Sequence, residues 1–411
     1  SYSQIGIFGT EKFKIFVNNA ELCELPSGTV VDVKFSNGKF VISNGEVLDE
    51  VSGVIRFECK HGRLGVAGLK RAGSQALYRG NIELVEYKNG TFHVVNVLEV
   101  EDYLKGVVPN EMPVRFGLEA LKAQSVAARN YVLSPRTKAY NAFDVVDSVA
   151  SQVYYGAGSE KDLATKAVEE TEGIVALYGW DLILAQYSST AGGYTESFSN
   201  VFSDPVTKMF PSVPKPYLIA KPDLPNQIAL NSDDSALNYY KSMPDSYDIK
   251  SPYFRWVRTW TREELQKAIQ MNLPAQSATG FVYPSFNRGE VLPEIKRLDV
   301  KSRGDSGKII ELAIVTRGKT YIVKKELVIR RLLTNQGKAL PSANVAFEQK
   351  FDSNGRLVSV TAYGGGFGHG VGLSQYGAGF MATEMNLPYD KILKHYYTGI
   401  TLATKPVILS S

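Results

Sequence analysis

The sequence predicts an α+β fold with a β-rich N-terminal module, a core of mixed helices and strands, and an inserted α+β subdomain. Three observations lead to this prediction. Short runs of Val, Ile, Phe and Tyr fill about the first hundred residues, helical periodicity begins near residue 117, and prolines cluster after about residue 203. A chain of 411 residues is also long for one domain. The predicted boundaries are 1–95 for the N-terminal module, 96–202 with 341–411 for the core, and 203–340 for the insert.

The N-terminal module is predicted to be antiparallel. Its runs "KFKIFVNN", "TVVDVKFSNGKFVIS" and "ALYRGNIELVEYKNGTFHVVNVL" are rich in β-branched and aromatic residues, which favour strands. Asn-Gly pairs interrupt the module at 37–38, 44–45 and 89–90, and Asn-Gly is the strongest short signal for a β-hairpin. Successive hairpins produce an antiparallel arrangement.

A helix is predicted over 117–132. Two stripes at helical spacing are made by Leu118, Leu121, Ala128 and Val132, and by Ala120, Ala123, Ala127 and Tyr131. So many alanines indicate a helix that packs closely on more than one side. Gln124 lies on the alanine stripe, so we expect it to be buried and hydrogen-bonded to protein or ligand.

Capping-box patterns predict where two more helices begin. Ser159 followed by Asp162 begins a helix that ends near Gly173, and Thr261 followed by Glu264 begins another. The intervening "IVALYGWDLILAQYSS" is typical of strand, turn and strand.

The last third of the chain mixes both kinds of element. In the insert, "IKRLDVKSRG" and "KIIELAIVTRGKTYIVKK" predict strands and "KELVIRRLL" a short helix. After residue 343, the strands "NVAFEQKF" and "LVSVTAY" flank a turn, and a glycine-rich loop leads into a helix. A final helix stops at Gly399.

Composition and charge exclude some classes of function. Hydrophobic residues make up 44% and charged residues 21%, as in an ordinary globular protein. The net charge of +4 excludes a strong nucleic-acid footprint but suits a weakly anionic polymer. No apolar run reaches the ~20 residues of a membrane-spanning helix. The chain begins at Ser1 without methionine, so any leader or membrane anchor is expected only outside this sequence.

Glu111 is the first candidate for chemistry. It lies in "VVPNEMP" (107–113), and a proline disfavours the α conformation of the residue before it, so we expect extended backbone at Val108 and Met112. Partial burial among apolar residues would raise the pKa of the carboxyl and suit it to general acid catalysis. From the local sequence alone, an ordinary surface or helix-capping acid is favoured over a catalytic one.

Two glycine-rich stretches are further candidates. "YSSTAGGYTES" (187–197) sets hydroxyls beside a Gly-Gly pair, which suits sugar binding but also an ordinary polar turn. In "GFGHGVGLSQYGAG" (366–379), His369 lies between glycines, which favours contact with a ligand over a purely structural role. Neither His369 nor the cysteines Cys23 and Cys59 have the spacing of a zinc site.

Five motifs in order resemble the SpoIID/LytB family: "VVPNEMP", "EALKAQSVAARNY", "SQVYYG", "SSTAGGYTES" and "GHGVGLSQYGA". With "YRGNIELV" and "LPSANVAFE", the resemblance covers about residues 75 to 400. It implies a lytic transglycosylase that cuts peptidoglycan between N-acetylmuramic acid and N-acetylglucosamine, leaves a 1,6-anhydro end, and prefers strands stripped of stem peptides.

The resemblance also implies site residues. Glu111 matches the catalytic acid of the family. Candidate substrate contacts are Gln124, Arg129, Ser188, Ser189, His369 and Gln375. Most glycosidases use two carboxylates, but no second carboxylate recurs in the matching motifs, which agrees with a single acid acting twice; Glu196 and Asp204 remain possible candidates.

One stretch departs from the pattern of some sporulation members, which bind zinc through Cys and His before the "CQVY" motif. Here 143–156 reads "FDVVDSVASQVYYG", so we predict no metal there and no cofactor. The expected partners are peptidoglycan glycan strands, and a cell-wall amidase if the chain works with one, but no nucleic acid. The expected location is extracytoplasmic. The alternative function is a non-catalytic, peptidoglycan-binding amidase enhancer.

Overall fold

The computed structural model describes residues 1–88, 90–134 and 141–404. Helices and strands are both abundant, which confirms the predicted α+β class. The chain forms two compact units, Ser1–Leu184 with the end of the chain from Leu402, and Ala185–Thr401. The three predicted domain boundaries remain predictions, and residues 405–411 of the predicted core lie outside the described residues.

The first unit begins with two antiparallel sheets. Their strands are β1 (Gln4–Gly9), β2 (Phe13–Val17), β3 (Ala20–Leu25), β4 (Val31–Ser36), β5 (Lys39–Ser43), β6 (Val47–Val51), β7 (Ile55–Glu58), β8 (Leu64–Arg71), β9 (Ser74–Tyr78), β10 (Asn81–Glu86) and β11 (Phe92–Val97). One sheet has the order β6-β5-β4-β1-β8-β9 and the other β11-β10-β7-β2-β3. Alternate side chains of both sheets, among them Ile7, Phe40, Ile15 and Phe57, meet in one core.

Asn-Gly turns connect the strands as predicted. Asn37 and Gly38 both have positive φ, 51° and 76°, the conformation of a tight hairpin turn between β4 and β5. The pair at 44–45 likewise joins β5 to β6. In the third pair, Asn89 lies outside the described residues, although β10 and β11 do pair antiparallel.

Three helices and a small sheet complete the first unit. They are α1 (Val100–Glu111), α2 (Leu118–Leu133), α3 (Asp162–Glu170), β12 (Ile174–Tyr178), β13 (Asp181–Leu182) and β23 (Thr401–Thr404). The helix predicted over 117–132 is confirmed, and Gln124 is fully buried as expected. The predicted strand, turn and strand after Gly173 are β12 and β13, which pair antiparallel.

The prediction of extended backbone at Val108 is wrong, because α1 continues through Pro109 as far as Glu111. Val107 and Val108 are fully buried, and this burial outweighs the local preference of a residue before proline. Met112 is extended as predicted, with φ −126° and ψ 127°. Glu111 is therefore the last residue of a helix and does not lie in a loop.

The capping box predicted at Ser159 is also wrong. Helix α3 begins at Asp162 after Lys161, and no side chain caps it. The Ser159 hydroxyl is used elsewhere, since it donates to the carbonyl of Gly156 at 2.8 Å and accepts from the side chain of Asn110 at 2.7 Å. The hydroxyl thus bonds to the segment before the helix, and the residue at the N-cap position is Lys161.

The second unit contains five helices and nine short strands in its described part. The helices are α4 (Asp233–Lys241), α5 (Arg262–Ser277), α6 (Glu326–Leu332), α7 (Gln375–Thr383) and α8 (Tyr389–Tyr396). The strands are β14 (Tyr187–Ser188), β15 (Trp256–Thr261), β16 (Val282–Tyr283), β17 (Ile295–Arg303), β18 (Ile309–Thr316), β19 (Thr320–Lys324), β20 (Val345–Phe351), β21 (Leu357–Gly364) and β22 (Leu373–Ser374). The larger sheets run β16-β19-β18-β17 and β15-β21-β20, and β14 pairs parallel to β22.

Capping patterns and runs of strand-forming residues in the sequence predicted most of these elements correctly. Thr261 and Glu264 form the predicted capping box of α5, with reciprocal hydrogen bonds of 3.2 and 2.8 Å. The strands of 295–324 and 345–364 were also predicted. Helix α8 ends at Tyr396 rather than at Gly399, and α4 was not predicted, although Ser232 caps it in a box with Ser235. No helix in the described ranges is long and apolar enough to cross a membrane.

The close approach of α1 to Tyr154 yields a stability prediction. A Cβ on Gly106 would lie 2.6 Å from the Tyr154 ring, closer than carbon atoms can approach. Gly106→Ala should therefore lower the free energy of unfolding by about 1–3 kcal/mol, although alanine favours helices over glycine. Denaturant unfolding measures this change. In a Tyr154→Leu background the methyl group should cost much less, and an equal loss in both backgrounds would contradict the contact.

Candidate functional site

Glu111 is fixed at the end of α1 by a main-chain hydrogen bond. The N–H of Val153 donates to Oε1 of Glu111 at 2.6 Å. The carboxylate is half-buried, while Val108 and Met112 on either side of it are fully buried. One carboxylate oxygen thus has a defined direction, which a catalytic acid needs.

Neutral polar side chains lie behind this acid. The hydroxyl of Tyr103 donates to the side-chain oxygen of Gln152 at 3.2 Å, and the Gln152 amide donates to the carbonyl of Ala128 at 3.3 Å. Burial raises the pKa of Tyr103, and the negative charge of Glu111 raises it further. Tyr103 therefore keeps its proton at neutral pH, so it is a neutral neighbour of Glu111.

The stretch 143–156 that carries Gln152 and Val153 is held by side chains from the β-rich module. Asp147 forms an ion pair with Arg71 at 2.8 Å, and the hydroxyl of Tyr154 donates to the Asn96 side chain at 2.7 Å. These bonds fix an irregular segment whose amide in turn positions Glu111.

Gln124 and Arg129 both lie on α2 and are fully buried. The guanidinium of Arg129 forms two hydrogen bonds of 2.7 Å with the carboxylate of Glu101 and a third, of 3.0 Å, with the carbonyl of Ile174. This places Arg129 in a structural ion pair between α1, α2 and β12. Contact of Gln124 and Arg129 with a substrate remains a prediction.

In the second unit the structure brings Ser188, Ser189 and Gln375 together. Ser188 on β14 pairs with Ser374 on β22, which directly precedes Gln375. The N–H of Tyr376 donates to the carbonyl of Ser189 at 3.1 Å. Parallel pairing of two short strands thus joins two sequence motifs almost two hundred residues apart.

His369 lies in the glycine loop of the same unit. Its Nδ1 accepts the N–H of Val371 at 3.0 Å, and the ring of Phe202 packs edge-on at 5.3 Å. The pKa of His369 is lowered from 6.5 to about 4, chiefly by burial; the negative charge of Glu326 opposes this shift, and the positive charges of Lys308 and Arg330 add to it. His369 is therefore neutral at pH 7 and is tied to the main chain of its own loop, so its ligand contact remains a prediction.

Two buried carboxylates hold the loop of "SSTAGGYTES". Asp248 accepts from the Thr190 hydroxyl at 2.5 Å and from the N–H groups of Gly192 and Gly193 at 2.8 and 3.3 Å. Glu196 accepts from Ser306, through its hydroxyl at 2.6 Å and its N–H at 3.1 Å. Glu196 was among the possible candidates, whereas Asp248, in the unremarkable run "SYDIK", had no local signal.

A metal site needs several His, Cys, Asp or Glu side chains close together. Within residues 1–88, 90–134 and 141–404, no three His, Cys, Asp or Glu side chains are grouped closely enough to hold a metal ion. Cys23 and Cys59 are both free, and Cys59 is buried. The predicted lack of zinc at 143–156 remains a prediction.

Comparisons with known proteins find two family models and several individual proteins that match this chain. A family model described as "Stage II sporulation protein" matches residues 88–178, which include Glu111, and one described as a domain of unknown function matches 204–372. The chain is 30% identical to stage II sporulation protein D of Bacillus subtilis over 82% of its own length and 84% of that protein.

It is 32% identical to the amidase enhancer of Bacillus subtilis, over 73% of this chain. The chain spans only 40% of that relative's length. A protein of Brachyspira hyodysenteriae, named as uncharacterized, is 30% identical over 79% of this chain and 72% of its own length.

The Arg129–Glu101 pair yields a prediction about the stability of the fold. Glu101→Gln leaves the fully buried guanidinium without a counter-charge and should lower the free energy of unfolding by about 3–5 kcal/mol. Glu50→Gln is the control, because Glu50 faces Lys39 on the exposed surface and should cost under about 1 kcal/mol. Equal losses in chemical unfolding would show that the buried pair has no special role.

The lowered pKa of His369 predicts a pH-dependent stability. Between pH 6.5 and about 4 the unfolded chain binds a proton at this histidine that the folded chain does not, so stability should fall as pH falls through this window. His369→Asn should flatten that part of the profile, whereas His61→Gln, at an exposed histidine, should not. A proton NMR titration of His369 with a midpoint near 6.5 would refute this prediction.

Proposed function

The chain belongs to the stage II sporulation protein D family, and from this premise we propose that it is a lytic transglycosylase of peptidoglycan. It would cleave the bond between N-acetylmuramic acid and N-acetylglucosamine in strands stripped of stem peptides. The family membership supports a role in the cell wall. The observation that supports this specific activity is that the N–H of Val153 orients the carboxyl of Glu111 by a hydrogen bond.

One carboxyl is sufficient for this reaction. Protonated Glu111 donates its proton to the glycosidic oxygen, and the bond from that oxygen to C1 of the muramic acid breaks. The C6 hydroxyl of the same sugar then attacks C1, and its proton passes to the Glu111 carboxylate. The products are a 1,6-anhydro end and a free hydroxyl on N-acetylglucosamine. No water is consumed, and Glu111 ends protonated as it began.

The surroundings of Glu111 suit this double role. Between the two proton transfers the acid is a carboxylate, and the Val153 N–H stabilises that charge by a short hydrogen bond. Tyr103 and Gln152 supply a neutral polar support that adds no charge to the reacting pair. The proposal therefore assigns chemistry to Glu111 and positioning to Tyr103, Gln152 and the main chain of Val153.

A second candidate function is suggested by one relative. The protein named amidase enhancer is 32% identical to this chain. In that case the chain would bind glycan strands or an amidase without cutting the strand, and Glu111 would only support the fold. Both candidates act on the cell wall, so we propose an extracytoplasmic location and glycan strands as the ligand for either.

A direct assay distinguishes the two functions. Wild-type protein incubated with peptide-free glycan strands should release fragments with 1,6-anhydro ends, detected by mass spectrometry. Glu111→Gln should reduce this release at least about 100-fold, because an amide can neither donate nor accept the proton. Glu172→Gln is the control, since Glu172 is an exposed acid of the same unit.

The control variant should release as much product as wild type. Circular dichroism should confirm that Glu111→Gln folds, because Gln retains an oxygen for the Val153 N–H. If wild type releases no anhydro ends but increases the rate of an added amidase, the enhancer function replaces the enzymatic one. If Glu111→Gln releases as many anhydro ends as wild type, the proposed role of Glu111 is wrong, although the proposed activity of the protein is not.

A further inference from the structure

A groove on the second unit lies in the segment that matches the domain of unknown function. It has a volume of about 250 Å³. Its walls come from the loop before Pro211 and from β16 and β19. The lining residues are Lys208, Phe210, Gly280, Phe281, Val282, Tyr283, Ile322 and Lys324. These lining residues belong to the described part of the chain, and none of them is acidic.

Aromatic rings form one side of the groove. Tyr283 is 78% exposed although it is a large ring on a strand. Phe281 lies behind it and packs edge-on against Phe210, with ring centroids 6.2 Å apart. The packing of Phe281 against Phe210 thus supports the strand from which Tyr283 projects, and a flat exposed ring of this kind can stack on a planar or sugar ligand.

Lys208 and Lys324 also line the groove, and Lys325 follows Lys324 in the chain. Burial lowers the pKa of Lys325; the negative charge of Glu326 opposes this shift, and the positive charge of Lys208 adds to it. Lys325 donates to the Ser203 hydroxyl at 2.8 Å and lies over the Phe281 ring, while Lys208 donates to the carbonyl of Pro205. Among the described residues, no acid lies within ion-pair distance of Lys208 or Lys325. Lys324 forms an ion pair with Glu311 at 3.3 Å.

The backbone under two of these lysines is unusual. Lys208 has φ 61° and Lys325 φ 76°, the left-handed region that side chains other than glycine and asparagine rarely adopt. Strained backbone of this kind often occurs where a site presents a side chain to a ligand. An anion that binds beside Lys208 and Lys325 would reduce the repulsion between their positive charges.

We propose that this groove is a second contact site for glycan strands whose muramic acid residues carry free carboxylates, with Lys208 and Lys324 contacting a carboxylate and Tyr283 the face of a sugar ring. This rests on the proposed function, which makes stripped glycan the ligand. Removal of a stem peptide turns the neutral amide of the lactyl group into a carboxylate, so each stripped disaccharide presents one negative charge. In a stripped strand this charge lies beside the sugar ring, where a lysine of the groove can contact it, whereas an unstripped strand has an amide at that position.

Binding is tested with full-length Glu111→Gln protein, so that the strands remain uncut. Stripped glycan strands should bind at least about 10-fold more tightly than chitin oligomers of equal length, which have the same sugar rings without carboxylates. The double variant K208Q/K324Q should lose roughly 10-fold in affinity for stripped strands and most of the salt dependence. Tyr283→Ala should weaken binding to both polymers by about 5-fold.

The matched control is Lys267→Gln, an exposed lysine on α5 that should leave affinity unchanged. Equal affinity of wild type for stripped strands and chitin, or no effect of K208Q/K324Q, would overturn the proposal. Lysine-dependent binding to vesicles of anionic lipid without binding to strands would replace it with a membrane-binding surface. Lysine-dependent binding by a protein that forms no anhydro ends would disprove only the proposed activity.

Discussion

Buried carboxylates are the interactions on which the irregular parts of this chain depend. A loop lacks the regular hydrogen bonds of a helix or sheet, and a buried acid is tolerated only when donors surround it. In the second unit Asp248 meets this condition with the hydroxyl of Thr190 and the N–H groups of Gly192 and Gly193. In the first unit Glu101, a partly buried acid on α1, accepts two hydrogen bonds from the fully buried guanidinium of Arg129. Asp248 accepts hydrogen bonds from buried donors of a loop, and Glu101 balances the charge of a buried cation. Without these acids the donors would lose this partner and the cation would be buried without a counter-charge.

Carboxylates that are not buried also help to hold the stretch 143–156. The family resemblance implies that some members fix the corresponding stretch with a metal bound by Cys and His. Here Asp147 pairs with Arg71, the Tyr154 hydroxyl bonds to Asn96, and the Val153 N–H bonds to Glu111. Because the last of these bonds ends on the proposed catalytic acid, the order of this segment and the orientation of the acid depend on each other.

Periodic and capping signals in the sequence predicted most regular elements. The alanine stripe placed α2 and buried Gln124, and the Thr261 capping box placed the start of α5. Predictions failed where tertiary contacts outweigh a local preference, as at Val108, whose burial keeps α1 helical through Pro109. The support of Glu111 had no local signal, because it is a main-chain N–H forty-two residues away.

The proposed reaction uses one carboxyl that acts twice rather than two carboxylates. An acid that donates a proton and then recovers one must keep the same direction in both states, and its neighbours must not change charge between them. The Val153 N–H fixes that direction without a titratable group. Tyr103 keeps its proton because burial and the nearby carboxylate both oppose ionisation. A support made of an amide, a neutral phenol and a main-chain N–H therefore leaves Glu111 as the group that changes protonation during the proposed reaction.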